Sequence, residues 1–225
     1  DLGLGGLIRR PRSNYLLGTK PLEKLLGEIF DFDKLERNFA DGRLSGMAIS
    51  ATHYGIGSSV TFFDGSPEIA PWARNSRIGL RRKLRLDHVL ASAAIPILFK
   101  PVSIDGAYYG DGSVRLRAPL SPAIHMGAEK ILTIGIRFER PDSDAVARHE
   151  GYKMDQVSLV EIAGTMMNGA FMDGLESDIE RLQRINRTVS MIPRESWVGK
   201  ESPLRPIPIL VLKPSKDLGS LAARQ

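Results

Sequence analysis

The chain contains no cysteine. Disulfides, thiolate metal sites and cysteine nucleophiles are therefore excluded, while the redox compartment stays open, because a protein without thiols works in any of them. No apolar run reaches the ~18 residues that a transmembrane helix needs. The first residues, Asp1-Leu2-Gly3-Leu4-Gly5-Gly6, lack the basic stretch and apolar core of a secretory signal. They also lack a starting methionine, so the chain is expected to begin inside a longer product. Gly3-Leu4-Gly5-Gly6 has neither a preceding strand nor the following lysine of a phosphate loop. His53, His88, His125 and His149 stand apart, and none forms HExxH or another zinc spacing, so no metal site is expected. A nucleophile elbow is missing too. Its tight strand-to-helix turn needs small flanking residues, hence G-x-S-x-G. Ser45, Ser58, Ser66, Ser92, Ser113 and Ser121 all fail that pattern, as does every other serine.

What is present is enough for a globular core. The chain has 225 residues, 42% of them hydrophobic, which suits one sizeable domain or a domain with an appendage. Its net charge of +5 favours anionic partners. Arg74, Arg77, Arg81, Arg82, Lys83 and Arg85 concentrate much of that excess. The plain reading is a solvated basic loop, and the functional alternative is contact with anionic lipid headgroups. Nucleic acid is not expected, because no aromatic residues interleave with these charges.

Periodicity outlines the elements. Residues 9–20 are polar and basic and read as a loop. Pro21 followed by Leu22, Leu25, Leu26, Ile29 and Phe30 predicts a helix that Asp31 to Asp33 close. Leu44 to Thr52 and Ser59 to Phe63 read as two strands joined through Tyr54-Gly55-Ile56-Gly57-Ser58, a hairpin expected at a sheet edge. Leu86 to Ala94 predicts a short helix whose Ala91, Ser92, Ala93 and Ala94 let another backbone come close, with Pro96 as its stop. A short strand over Ala107-Tyr108-Tyr109 runs into Gly110-Asp111-Gly112-Ser113. Pro119 to Gly127 predicts another helix. Lys130 to Ile136 is almost continuously apolar, as in a parallel strand covered on both faces. A loop over 137–151, a long helical pattern from Asp155 to Arg187, a loop over 193–206 and a strand over Pro208 to Leu212 complete the chain. Met166, Met167, Phe171 and Met172 within that helix read first as packing, and alternatively as the lining of an acyl groove.

The Asp-Gly dipeptide alone is a common turn signal, and it occurs here at residues 41, 64, 105, 111 and 173. Asp111 differs through its surroundings: small-residue helix, proline, apolar segment, aromatic strand, Gly-Asp-Gly-Ser, then a helix and a buried strand. Ala91-Ser92-Ala93-Ala94-Ile95-Pro96-Ile97-Leu98-Phe99 together with Tyr109-Gly110-Asp111-Gly112-Ser113 resembles patatin-like phospholipases, particularly bacterial ones. So do the stretches from Pro119 to Ile131 and from Ala51 to Gly65, and a weaker similarity continues to Lys213-Pro214-Ser215, so that most of the chain is covered.

The resemblance implies an α/β fold of three layers, with a mostly parallel central sheet flanked by helices and incomplete at its N-terminus. It implies a single domain over 1–225, in which 1–150 is the core part with the Asp-Gly motif and 151–225 the long helix and final strand. It also implies a Ser–Asp dyad without histidine, hydrolysing lipid acyl esters with no metal or cofactor. In this family the aspartate sits in D-G-G or D-G-A. Asp111 corresponds to it, Gly110 and Gly112 support it, and Ser113 stands where Gly or Ala is usual. The glycine-rich oxyanion loop and the G-x-S-x-G serine are expected before Asp1, with the serine on an N-terminal segment, on a separate chain or lost altogether, so the 225 residues alone are expected to be inactive. A carboxylate with a pKa near ~3.9 is a weak base at neutral pH. Burial beside a sheet raises such a value, and flanking glycines permit a tight turn. A cytoplasmic or peripheral-membrane location fits these traits. Two non-enzymatic readings stand beside the hydrolase: a lipid-surface binding module and an interaction scaffold on the same fold.

Overall fold

Asp31 begins a helix rather than ending one. In the computed structural model, which describes residues 15–136, 174–193 and 204–216 with positions 138, 157–158, 161–162, 164–165, 169 and 221, the predicted helix α1 spans Lys20–Ile29 with Pro21 in its first turn. Asp31 then accepts a hydrogen bond from the Lys34 backbone N–H at 2.8 Å and caps a second helix, α2 (Phe32–Ala40). A capping carboxylate satisfies one of the donors that a helix start leaves unpaired.

The chain divides into two compact units, Asp1–Leu116 and Arg117–Gln225. The first holds a six-stranded sheet in the order β3-β4-β2-β1-β6-β5. Its strands are β1 (Gly46–His53), β2 (Ser58–Gly65), β3 (Trp72–Arg74), β4 (Arg77–Arg81), β5 (Val102–Ile104) and β6 (Ala107–Asp111). The α/β class holds, and the sheet is mixed. Only β2 and β4 run parallel, while β1–β2, β1–β6, β3–β4 and β5–β6 are antiparallel. Connection length explains the difference from the mostly parallel expectation. Tyr54–Gly57, Asn75-Ser76 and Asp105-Gly106 are too short to carry a crossover, so they can join only antiparallel neighbours. The hairpin of β1 and β2 is also central rather than at an edge. Val60, Phe62 and Phe63 of β2 are almost fully buried, which an edge strand does not achieve.

Two strands lie inside the stretch read as a basic loop. Ile78 and Leu80 alternate with Arg77, Gly79 and Arg81 at the period of a strand, and charge had masked that alternation. The Asn75-Ser76 turn places both residues at positive φ, as a two-residue hairpin requires. Gly79 pairs with Trp72, and a Cβ on it would run into the indole ring.

On one face of the sheet Ile49, Ala51, Val60, Phe62, Leu84, Ala91, Ile104 and Tyr109 form the core. The helix α3 (Leu86–Ser92) contributes Ala91, which is fully buried, and His88, whose ring meets Phe62 edge-on at 4.5 Å. Phe32 and Leu35 of α2 pack against the same cluster. Truncating a buried phenylalanine such as Phe62 removes about 3–5 kcal/mol in comparable cores.

In the second unit α4 (Ser121–His125) ends at Gly127, whose φ of +89° is the left-handed stop that glycine supplies. Next come β7 (Ile131–Ile134), α5 (Gly174–Ser190) and β8 (Ile209–Leu212). Strands β7 and β8 pair in parallel, Ile131 with Ile209 through Ile134 with Leu212. Leu120, Ile131, Ile179, Leu182 and Ile207 form a second core. The Asn186 amide donates to the Ile207 carbonyl at 2.7 Å and accepts from the Ile207 N–H at 2.9 Å, so α5 fastens the approach to β8. Strand β7 is covered on one face only: Ile131 and Thr133 are buried, whereas Leu132 and Ile134 are exposed. The N-terminal glycine stretch, the loop expected at 137–151 apart from position 138, the group Met166, Met167, Phe171 and Met172, and His149 lie outside the described residues.

Candidate active site

The site is built from the end of β6. Asp111 pairs with Ala51 across β1, and its backbone is tied on both sides. Its N–H donates to the Ala94 carbonyl at 2.9 Å, and its own carbonyl accepts from the Thr52 hydroxyl at 2.7 Å. Ala94 lies just past α3, where the run of small residues predicts a close backbone approach. Asp111 is the strand that makes it.

The carboxylate itself is half-buried and asymmetrically bonded. Its Oδ1 accepts from the Ser113 backbone N–H at 2.8 Å and from the Ser113 hydroxyl. Among the described residues its Oδ2 takes no hydrogen bond and Asp111 forms no ion pair. The chain after Asp111 closes into a single 3-10 turn, Gly112–Val114, which carries the Ser113 donor. Ser113 therefore holds the carboxylate in place, a function that Gly or Ala at this position could perform with the backbone N–H alone.

The two flanking glycines serve space rather than unusual torsion angles. Neither has a positive φ, unlike Gly106 at +81°. A Cβ on Gly112 would collide with the Ser50 carbonyl of β1. A Cβ on Gly110 would collide with the Tyr54 phenol, whose Oη, Cζ and Cε2 occupy the space it would need. Gly110, Asp111, Gly112 and Ser113 thus act as one unit, in which the glycines let β1 and Tyr54 approach and Ser113 orients the acid.

Tyr54 is the neighbour that sequence reading passed over as one residue of a turn-rich stretch. It sits between β1 and β2, with its N–H on the Tyr108 carbonyl at 3.0 Å. Burial, and then the negative charge of Asp111, push its phenol above the usual tyrosine range, so it stays protonated. An aromatic residue two positions beyond a predicted strand, in the stretch that carries the family resemblance, was the available signal.

Two of the histidines, His53 and His88, have structural surroundings. His53 accepts from the Gly55 N–H at 3.1 Å and lies edge-on to Tyr109 at 4.8 Å. His88 accepts from the Arg85 N–H at 3.0 Å inside the core.

The members of the basic cluster have different partners. Arg81 reaches the carbonyls of Gly65, Ser66 and Ile69 at 3.0, 2.9 and 2.5 Å and lies over the Phe63 ring at 5.1 Å. Arg82 faces Asp105 at 3.5 Å, Lys83 pairs with Glu36, and Arg85 faces Asp87 at 3.7 Å. Arg74 and Arg77 sit directly opposite each other across β3 and β4, and neither has an ion pair among the described residues. Among the described residues no helix is long and apolar enough to cross a membrane.

A family model described as Patatin-like phospholipase matches residues 4–124, more than half of the 225 residues and all of the strands from β1 to β6 with the turn at Asp111. No curated protein matches the chain.

Proposed function

Since the chain belongs to the patatin-like phospholipase family, a family of lipid acyl hydrolases, we propose that it supplies the aspartate of a Ser–Asp dyad whose serine lies on polypeptide outside these residues. The observation that carries this reading is the bonding of Asp111: Oδ1 is held twice by Ser113, and among the described residues Oδ2 takes no hydrogen bond, on an anchored strand end.

The chemistry follows from that acceptor. A serine hydroxyl is a weak nucleophile and needs a base within ~2.6–3.2 Å. Oδ2 takes the hydroxyl proton as the serine oxygen attacks the ester carbonyl. The proton then passes to the leaving alcohol, and an acyl-serine remains. Water attacks next, Oδ2 accepts one of its protons, and that proton returns to the serine as the fatty acid leaves. The oxyanion formed in both halves needs backbone N–H donors, which belong to the glycine-rich loop and not to these residues. By itself the chain is therefore inactive.

Lipid contact beyond the ester is assigned to the β3–β4 hairpin, where Arg74 and Arg77 are opposed without acidic partners among the described residues. Like charges set directly across a strand pair repel, and an anionic surface relieves that repulsion.

The test is Asp111→Asn in the protein that carries both this chain and the serine. Asparagine keeps the shape and loses the base, so ester hydrolysis should fall about 10²–10⁴-fold, the usual worth of a positioned base. Hydrolysis at the unaltered rate would remove Asp111 from the mechanism.

A further inference from the structure

The Tyr54 ring covers Gly110, and a phenylalanine would cover it as well. The hydroxyl is the part of the side chain that packing leaves unused. It has no hydrogen-bond partner among the described residues, and the residue as a whole is 40% exposed. It lies beside Asp111 without bonding to it. The turn that presents it is tied at several points. The Tyr54 N–H donates to Tyr108, the Gly57 N–H donates to His53 at 2.9 Å, and Arg115 Nε donates to the Gly57 carbonyl at 2.5 Å. Arg115 follows the Asp111 turn directly, so the segment that carries the acid also braces the segment that carries the phenol. A donor held this way loses little freedom on binding, which is what makes a single hydrogen bond productive.

We propose that Tyr54 is a substrate-positioning residue whose hydroxyl donates a hydrogen bond to an ester oxygen of the acyl substrate lying against Asp111. The inference rests on the hydrolase reading above. It adds the group that orients the ester relative to the base. Burial and the neighbouring carboxylate keep the phenol protonated, so it remains a donor throughout the range in which Asp111 must be ionised to work.

The experiment compares Tyr54→Phe with wild type in the protein that carries the serine, using a p-nitrophenyl acyl ester, which has no headgroup. Phenylalanine keeps the ring over Gly110, and an unchanged thermal midpoint verifies the fold. KM should rise about 3- to 10-fold, the loss expected for one neutral hydrogen bond, with kcat within about twofold and the acidic limb of the pH profile unmoved. A KM equal to wild type overturns the proposal. So does a fall in kcat with a shifted acidic limb at constant KM, which would put the hydroxyl on the carboxylate instead of the substrate. Asp111→Asn run in parallel separates the two levels. If that variant is inactive and Tyr54→Phe is normal, only the role of Tyr54 fails. If Asp111→Asn is fully active, the dyad fails and the role of Tyr54 fails with it.

Discussion

At Gly112 the obstacle to any side chain is a carbonyl, and at Gly110 it is the edge of an aromatic ring. The two substitutions should therefore differ. Gly112→Ala pushes β1 and β6 apart at Ser50, where backbone cannot yield, and should cost about 1–3 kcal/mol of stability in a denaturant titration. Gly110→Ala meets a side chain that can swing away, so its stability loss should be smaller. A change in Tyr54 fluorescence quenching or solvent accessibility would report the displaced phenol. Equal losses for the two would contradict this account. Ser113→Ala removes one of the two bonds on Oδ1 and leaves the backbone N–H in place. Its hydrolytic rate should drop by less than about tenfold, in line with one lost hydrogen bond, far short of the effect of Asp111→Asn. These distinctions were partly open to sequence reading. Asp-Gly flanked by glycine and serine marked the position, but only neighbours distant in sequence, Ser50 and Tyr54, reveal why the glycines must be glycines.

The elements carry two further predictions. Helix α2 depends on the Asp31 cap, so Asp31→Ala should lower stability by about 1 kcal/mol, measured as a shift of the thermal midpoint. Helix α3 buries His88 against Phe62, with Arg85, Asp87 and Asp105 as the charged groups that act on it. Burial is the largest of these influences and holds the imidazole below its usual range, so it is neutral when folded. The sign follows from linkage. The unfolded chain takes up a proton near ~6.5 while the folded one does not, so the stabilising contribution is complete above that pH and is lost as pH falls toward the folded value. Unfolding midpoints compared at about pH 7.5 and about pH 5.5 should drop for wild type and drop less for His88→Gln; parallel drops would rule this out. Helix α1, α3 and the β1–β2 strands were legible because their apolar spacing is local. Helix α2 and the β3–β4 hairpin were not, since acidic and basic residues hid a short cap and a period-two pattern that only pairing with β2 makes visible.

Across the whole molecule the charge excess divides into working parts. Arg81 is committed to carbonyls, and Arg82, Lys83 and Arg85 face carboxylates, while Arg74 and Arg77 have no ion pair among the described residues. Arg74→Gln with Arg77→Gln should weaken binding to phosphatidylserine-containing vesicles by roughly 30-fold, taking about 1 kcal/mol per basic residue near such a surface, with most of the effect lost in high salt. Arg81→Gln should instead lower stability and leave vesicle binding nearly unchanged. The reverse pattern would show that the cluster acts by total charge.

The amino-acid sequence by itself determined the family and the α/β class, and it singled out Asp111 among the five Asp-Gly pairs. These depend on residue order over short spans, which no folding event rearranges. The tertiary structure alone decided that the β1–β2 hairpin occupies the centre of a mixed sheet, that neighbouring basic residues meet different partners, and that Tyr54 leans over Gly110 beside Asp111. Each of these is set by which distant strands share hydrogen bonds, and strand pairing is chosen by burial across the whole sheet rather than by any local pattern.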